Sequence, residues 1–328
     1  MKKRILFFVF LFCTLVSSYA GTVIKLGTIA PAGSLWDTKL REMASEWNRI
    51  SNGEVQLKLY MGGTVGDEDS MIRAMKVGGL NAGAITVQGL KEISSNVFAL
   101  CLPCVTKDDD EFEYVFDRMK GDFEQELEKQ GFVTLAWAMT GWVNFFSRDP
   151  VITPEDLKKE KIAIDTDGRL SKVWTELGFH AIPLSFNDIV ASLYSGMVDT
   201  TYLTPLAASS MGILKVAPNM CEFKISPVYC AVIIEKKAWN RVPAKYRDEI
   251  KAATSRISSE FYDIIKVDEA KAIEVMKKNG LKLNLVDDAA REEWFAISRT
   301  GSAAFSKEIV SKDVFDKIIN LVDEYRKK

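Results

Sequence analysis

Apolar and polar residues recur along this chain with two periods, and the two alternate. Residues 23–30, VIKLGTIA, read as a strand, and Pro31-Ala32-Gly33-Ser34 leads from it into a helix. Ser34 is placed to cap that helix, whose apolar stripe is Leu35, Leu40, Met43, Ala44 and Trp47. After the Asn52-Gly53 turn, residues 55–60 alternate apolar and polar as a strand does. Gly62, Gly63 and Gly66 then precede a helix over about 67–76, and a third strand falls near 82–87. The series begins again further on. Residues 133–139 and 144–146 read as two strands, Thr153 caps a short helix opened by Pro154-Glu155-Asp156, and 161–164 is a strand. A helix over 169–177 ends at Gly178, 181–183 is extended, and a helix covers 186–195. Strands alternating with helices predict βαβ units whose strands are joined by crossovers. The fold class is therefore α/β, with two α/β units in sequence.

One long element ties the units together. From 244 to 279, Tyr246, Ile250, Ala253, Ile257, Phe261, Ile264, Ile265, Ile273 and Met276 recur mostly three and four residues apart, between Pro243 and Gly280. A continuous helix of that length runs roughly 50 Å, longer than one domain is wide, and so would touch both units. The alternative is two helices with a break near 266–268.

The first twenty residues differ from the rest. Lys2, Lys3 and Arg4 precede an apolar run over 5–16, followed by Ser17, Ser18, Tyr19 and Ala20. This is the pattern of a secretory signal cleaved after Ala20, with an apolar run too short to span a bilayer. Cys13 offers a lipoprotein anchor instead, but Phe12 stands where such signals need a small residue. No later run reaches the roughly 18 apolar residues of a membrane helix. The mature chain is expected in an extracytoplasmic compartment.

Composition narrows the function. The chain has 328 residues, 47% hydrophobic and 27% charged, which suits a globular protein of about two domains. Its net charge is −2, and losing Lys2, Lys3 and Arg4 takes it to −5. No basic cluster offers a field for nucleic acid. Four cysteines remain after the signal: Cys101, Cys104, Cys221 and Cys230. In an oxidising compartment local 101–104 and 221–230 disulfides are the simplest pairing, with buried thiols as the other structural reading. Their spacing is a poor match to zinc ligation, and the Cys101–Cys104 pair follows an apolar run rather than opening a helix as a redox motif does.

No catalytic set emerges. His180 is the only histidine, flanked by Gly178-Phe179 and Ala181-Ile182-Pro183, and reads as structural or exposed. Gly62-Gly63-Thr64-Val65-Gly66 lacks the Gly-Lys-Ser/Thr ending of a phosphate loop. The acidic run from Asp108 to Glu111 lacks EF-hand spacing and reads as a solvated helix N-terminus. Neither a metal site nor a cofactor is expected.

The motifs and their order are more specific together than singly. Ser51-Asn52-Gly53-Glu54-Val55, Gly62-Gly63-Thr64-Val65-Gly66-Asp67, Met71, Leu102-Pro103, Ile152-Thr153-Pro154-Glu155-Asp156-Leu157-Lys158 and Leu177-Gly178 are followed by Ile182-Pro183-Leu184, Tyr194-Ser195-Gly196-Met197-Val198-Asp199, Trp239 and Val242-Pro243. On these the chain resembles the solute receptors of tripartite ATP-independent periplasmic (TRAP) transporters, the DctP-like binding proteins, almost from end to end. The resemblance implies a two-lobed periplasmic binding protein fold, each lobe a mixed sheet flanked by helices, joined by strands and a long shared helix. Lobe I would comprise 21–140 with about 229–268, and lobe II 141–228 with about 269–328. Implied partners are a small-molecule ligand, a small and a large integral membrane subunit, and in some relatives a periplasmic tetratricopeptide-repeat protein. No enzymatic activity is implied.

The sequence departs from the resemblance where family members hold organic acids. The arginine expected in the strand after the Pro-Glu-Asp-Leu helix is Ala163, within Lys161-Ile162-Ala163-Ile164. A second arginine position is Val143, and a polar position after Val198-Asp199 is Leu203, or Thr204 if the alignment shifts by one. A guanidinium selects a carboxylate by parallel charged hydrogen bonds, so these changes imply a ligand that is apolar or amphipathic, lipid-like molecules included, rather than a simple carboxylate. Trp36, Thr86, Gln88, Trp137, Met139, Trp142, Phe145, Phe186, Tyr202 and Tyr229 complete the candidate lining. Arg169 is the candidate substitute for the missing cation, with Asp165 and Asp167 as competing partners. Two other classes compete with a receptor: an interaction module with a vestigial cleft, and an exported redox or hydrolytic enzyme.

Overall fold

The computed structural model describes residues 21–328, so the signal segment and Cys13 lie outside the described residues. In chain order the elements are β1 (Thr22–Gly27), α1 (Leu35–Ile50), β2 (Val55–Tyr60), α2 (Glu68–Lys76), β3 (Ala82–Thr86), α3 (Val87–Leu90), α4 (Asp109–Lys129), β4 (Phe132–Ser147), α5 (Pro154–Leu157), β5 (Lys161–Ile164), α6 (Gly168–Glu176), β6 (His180–Pro183), α7 (Ile189–Ser195) and β7 (Thr200–Leu203). They continue as α8 (Pro205–Met211), β8 (Asn219–Cys221), β9 (Ser226–Glu235), α9 (Lys236–Trp239), α10 (Ala244–Lys278), β10 (Lys282–Asn284), α11 (Asp288–Glu308) and α12 (Lys312–Arg326).

The main strand order is β2-β1-β3-β9-β4-β7-β5-β6, with β8 beside β4 and β10 beside β8. β1, β2 and β3 run parallel, as do β5, β6 and β7, so the sheet holds two parallel halves. β9 and β4 lie antiparallel between them. One 16-residue strand, β4, stands where two were expected. Its first part pairs with β9 and its last four residues pair with β7, so it runs from one half into the other. Register shifts at Thr134/Ala136 and Met139/Gly141, with Gly141 at φ +114°, interrupt the alternation that would have marked a single strand.

Local chemistry fixes the helix starts. Ser34 accepts the Asp37 amide at 3.3 Å, and Thr153 and Asp156 form a reciprocal capping box. Asp108 caps α4 as the acidic run suggested, but Glu111 is fully buried rather than solvated, because Arg326 in the last turn of α12 donates to both its oxygens at 2.6 and 3.1 Å. The long helix α10 runs unbroken for 35 residues through the candidate break at 266–268. It packs on α1, along β4 and on α8, and so spans both halves. The Trp47 indole N–H donates to Thr254 at 2.9 Å inside the α1–α10 contact, which satisfies the polar atom of a fully buried ring.

The local disulfides do not form: all four cysteines are free and buried. Cys221 follows Met220, which is registered with Phe146 of β4, whereas Cys230 is registered with Ala138. Those β4 positions are eight residues apart, roughly 26 Å along a strand, far beyond disulfide reach. Cys104 stands at φ 58° with its N–H donated to the Ile225 carbonyl at 2.7 Å, and it is not bridged to Cys101. Burial pushes the Cys101 thiol up to about 12, which keeps it a small apolar group rather than a nucleophile. His180 is exposed at the start of β6.

Candidate functional site

In an open α/β sheet, ligands meet the carboxyl ends of parallel strands, where a topological switch leaves a crevice. Here α3 follows β3 directly, the residue after α3 meets the loop that follows β5, and two seams join the halves. One seam is apolar. Leu35 and Trp36 from the first half, Leu206 of α8 from the second, and Ala138, Cys230, Phe261 and Ile265 form one cluster. The Trp36 ring lies 3.8 Å centroid to centroid from Phe261 of α10. A cavity of about 20 Å³ adjoins it, lined by Trp36, Leu40, Met43, Ala138, Cys230 and Phe261 among others. That is room for about one water.

The other seam is charged. Lys91, just beyond α3, has a side chain only 2% exposed. Its ammonium reaches across to Asp165, which directly follows β5, and lies 3.8 Å from Asp167 and 3.4 Å from Gln88 Oε1. Arg169 donates from Nε and Nη2 to the two oxygens of Asp167 at 3.0 and 2.7 Å. Behind Lys91, buried Glu68 accepts the Thr86 N–H and hydroxyl, both at 2.6 Å, and the Gly89 N–H at 3.1 Å. Burial nevertheless pushes Glu68 up to about 7, against those hydrogen bonds, and the nearby Asp165 charge adds to the rise.

The sequence-chosen residues do not gather into one wall. Trp36 belongs to the apolar seam, and Thr86 and Gln88 to the charged one. Trp137 and Tyr229 pack with Phe116 beneath α4, and Met139, Trp142, Val143 and Phe145 are buried in the same large core. Trp142 donates its indole N–H to Asp109 at 2.6 Å. Tyr202 is half-buried with its ring edge against Phe145. Ala163 and Leu203 lie on the opposite face of the sheet, with Phe146, Leu193 and Ala208. Strand alternation explains the split, since Phe145 pairs with Tyr202 whereas Asn144 pairs with Leu203. Only Phe186 stands exposed, at 39%, on the turn before α7. The neighbouring Asn187 amide lies within about 4 Å of where a side chain on Gly63 would begin, so this turn approaches the glycine loop of the other half. Lys91 and Glu68 were missed by sequence reasoning. The signal for Lys91 was a lone lysine closing a mostly apolar stretch, Val87-Gln88-Gly89-Leu90.

Residues 26–308 match the family model described as bacterial extracellular solute-binding protein, family 7, the DctP model. The chain belongs to this family. Its DctP-family relatives include the sialic acid-binding periplasmic protein of Vibrio cholerae, 23% identical over 89% of this chain and 92% of that one. Another is the C4-dicarboxylate-binding periplasmic protein of Rhodobacter capsulatus, 23% identical over 78% of each. Among solved structures, a TRAP periplasmic solute-binding protein of Chromohalobacter salexigens with bound D-glucuronate aligns at TM-score 0.85 and 20% identity, covering 92% of this chain and 99% of that one. The chain is thus an extracellular solute-binding protein of the DctP family, and its α/β fold is that of the TRAP periplasmic solute-binding protein it aligns with. Among the described residues no helix is long and apolar enough to cross a membrane, and no group of metal-ligating side chains occurs.

Proposed function

We propose that this receptor binds an uncharged apolar or amphipathic small molecule between its lobes, rather than a simple carboxylate, and delivers it to integral membrane subunits in the periplasm. In this reading lobe I is 21–140 with about 229–268, lobe II is 141–228 with about 269–328, and β4, β9 and α10 carry the hinge. The observation that carries the reading is the apolar seam, in which Leu35, Trp36, Leu206 and Phe261 from different elements meet where a solute would be enclosed. Small-molecule sites bind mainly through apolar and aromatic walls. Support also comes from Val143 and Ala163, buried and apolar at the positions where the resemblance would put arginines. The two apolar positions face opposite sides of the sheet, so they support the absence of a fixed guanidinium and not a single pocket. The sialic acid, dicarboxylate and glucuronate named for the relatives point the other way, but at 20–23% identity.

Thermal denaturation with a solute panel tests this. A ligand at a hundred times its Kd stabilises by about 2.7 kcal/mol, which raises Tm by several degrees in a domain of this size. Millimolar D-glucuronate, sialate and succinate are expected to leave Tm unchanged, and uncharged amphiphiles to raise it. A dose-dependent rise with any of the three acids would sink the proposal.

A further inference from the structure

We propose that Asp165 and Asp167 are specificity-determining residues, which reject anionic solutes by occupying the two cations of the interlobe seam from within the chain. The inference rests on the non-carboxylate reading above and names the groups that enforce it. Lys91, at the carboxyl end of α3, is a buried ammonium, and a buried cation needs an anion close by. A receptor for organic acids can take that anion from its solute. Here the loop between β5 and α6, in the opposite half, supplies it instead. Asp165 takes the Lys91 ammonium and also accepts the Asp167 amide at 2.9 Å, which fixes the loop. Asp167 takes both donors of the Arg169 fork and lies 3.8 Å from Lys91. Each cation is therefore paired before any solute arrives, and the Nε–Nη2 edge of Arg169 is already spent on a carboxylate.

The surrounding charges strengthen the effect. Asp69 and Glu92 also interact with this group, so acidic side chains outnumber basic ones around Lys91. An incoming anion would meet repulsion as well as the loss of an existing pair. The arrangement differs from an ordinary surface salt bridge in that Lys91 is sealed from water and its partner sits in the other half, so the pair forms only where the halves meet.

The test is a gain of function. Asp165→Asn and Asp167→Asn, singly and together, keep the size of both side chains but leave Lys91 and Arg169 unpaired. Binding of D-glucuronate is measured by calorimetry on the full-length mature protein, with circular dichroism to establish folding. The double variant is expected to bind at least about tenfold more tightly than the parent chain, and the gain to vanish when Lys91→Gln and Arg169→Gln are added. If the double variant does not fold, Asp165→Asn alone is read in the same way, with a smaller gain. A folded variant that ignores D-glucuronate as completely as the parent overturns this proposal and leaves the ligand-class reading standing. Tight binding by the parent chain itself overturns that reading and this proposal with it.

Discussion

Phe145→Ala is expected to cost about 3–5 kcal/mol of stability, the range for emptying a buried aromatic site, with urea melts as the measurement. Phe145 was chosen from sequence as a ligand wall, and the structure makes its ring core. It is 0% exposed, stacked on Trp294 at 5.5 Å and 29°, and presents edges to Trp174 and Tyr202 at 6.4 and 6.3 Å. Trp294 in turn stacks on Phe223 at 5.7 Å, and its indole N–H is donated to Ile152 at 2.8 Å. Truncation therefore leaves a cavity walled by rings anchored elsewhere, which cannot collapse to fill it. A ligand wall would behave differently: its loss would weaken binding and change stability by less than about 1 kcal/mol. That second outcome would return Phe145 to the cleft.

Glu269→Gln should stabilise the protein at pH 9 by an amount on the order of a few kcal/mol and do little at pH 5. Glu269 sits where α10 crosses the Gly141 bend of β4, with Oε1 buried and lacking a hydrogen-bond partner. Burial pushes its carboxyl up to about 8; nearby Lys224 opposes the shift and Asp109 adds to it. A carboxyl raised in the folded state binds more protons there than when unfolded. Its contribution is complete below about 4.5, the unfolded value, and is lost as pH rises through about 8. Glutamine removes the titration but keeps the shape. Glu68, raised to about 7, slopes the same way, so the difference between parent and variant isolates Glu269. Parallel Tm–pH curves for the two proteins would refute the assignment.

The helical period gave the position of α10 because Pro243 and Gly280 bracket its apolar stripe, while its continuity through 266–268 was settled only by the structure. The strand period failed at β4 for the reason that makes β4 useful: bulges and Gly141 bend it where it passes between halves, and a bend erases alternation. Cysteine spacing misled, since pairing depends on registers set by strands far apart in sequence. The site was legible only in part. Family likeness pointed to Val143, Ala163 and Leu203 in β4, β5 and β7, but Trp137, Tyr229 and Phe145 were chosen as aromatics near strand ends, and such residues are as apt to fill a core. The Lys91–Asp165 pair was invisible because its partners are 74 residues apart and neither belongs to a motif. Arg169 was seen, and so was Asp167 as its rival partner, because the two lie on one turn.

The central claim is that the solute is not an organic acid, and the molecule the receptor carries from its host decides it. Mature protein released gently from the periplasm, never unfolded, should show in native mass spectrometry a bound species that extracts into organic solvent and bears no carboxylate. A water-soluble sugar acid or dicarboxylate in that complex would contradict the account.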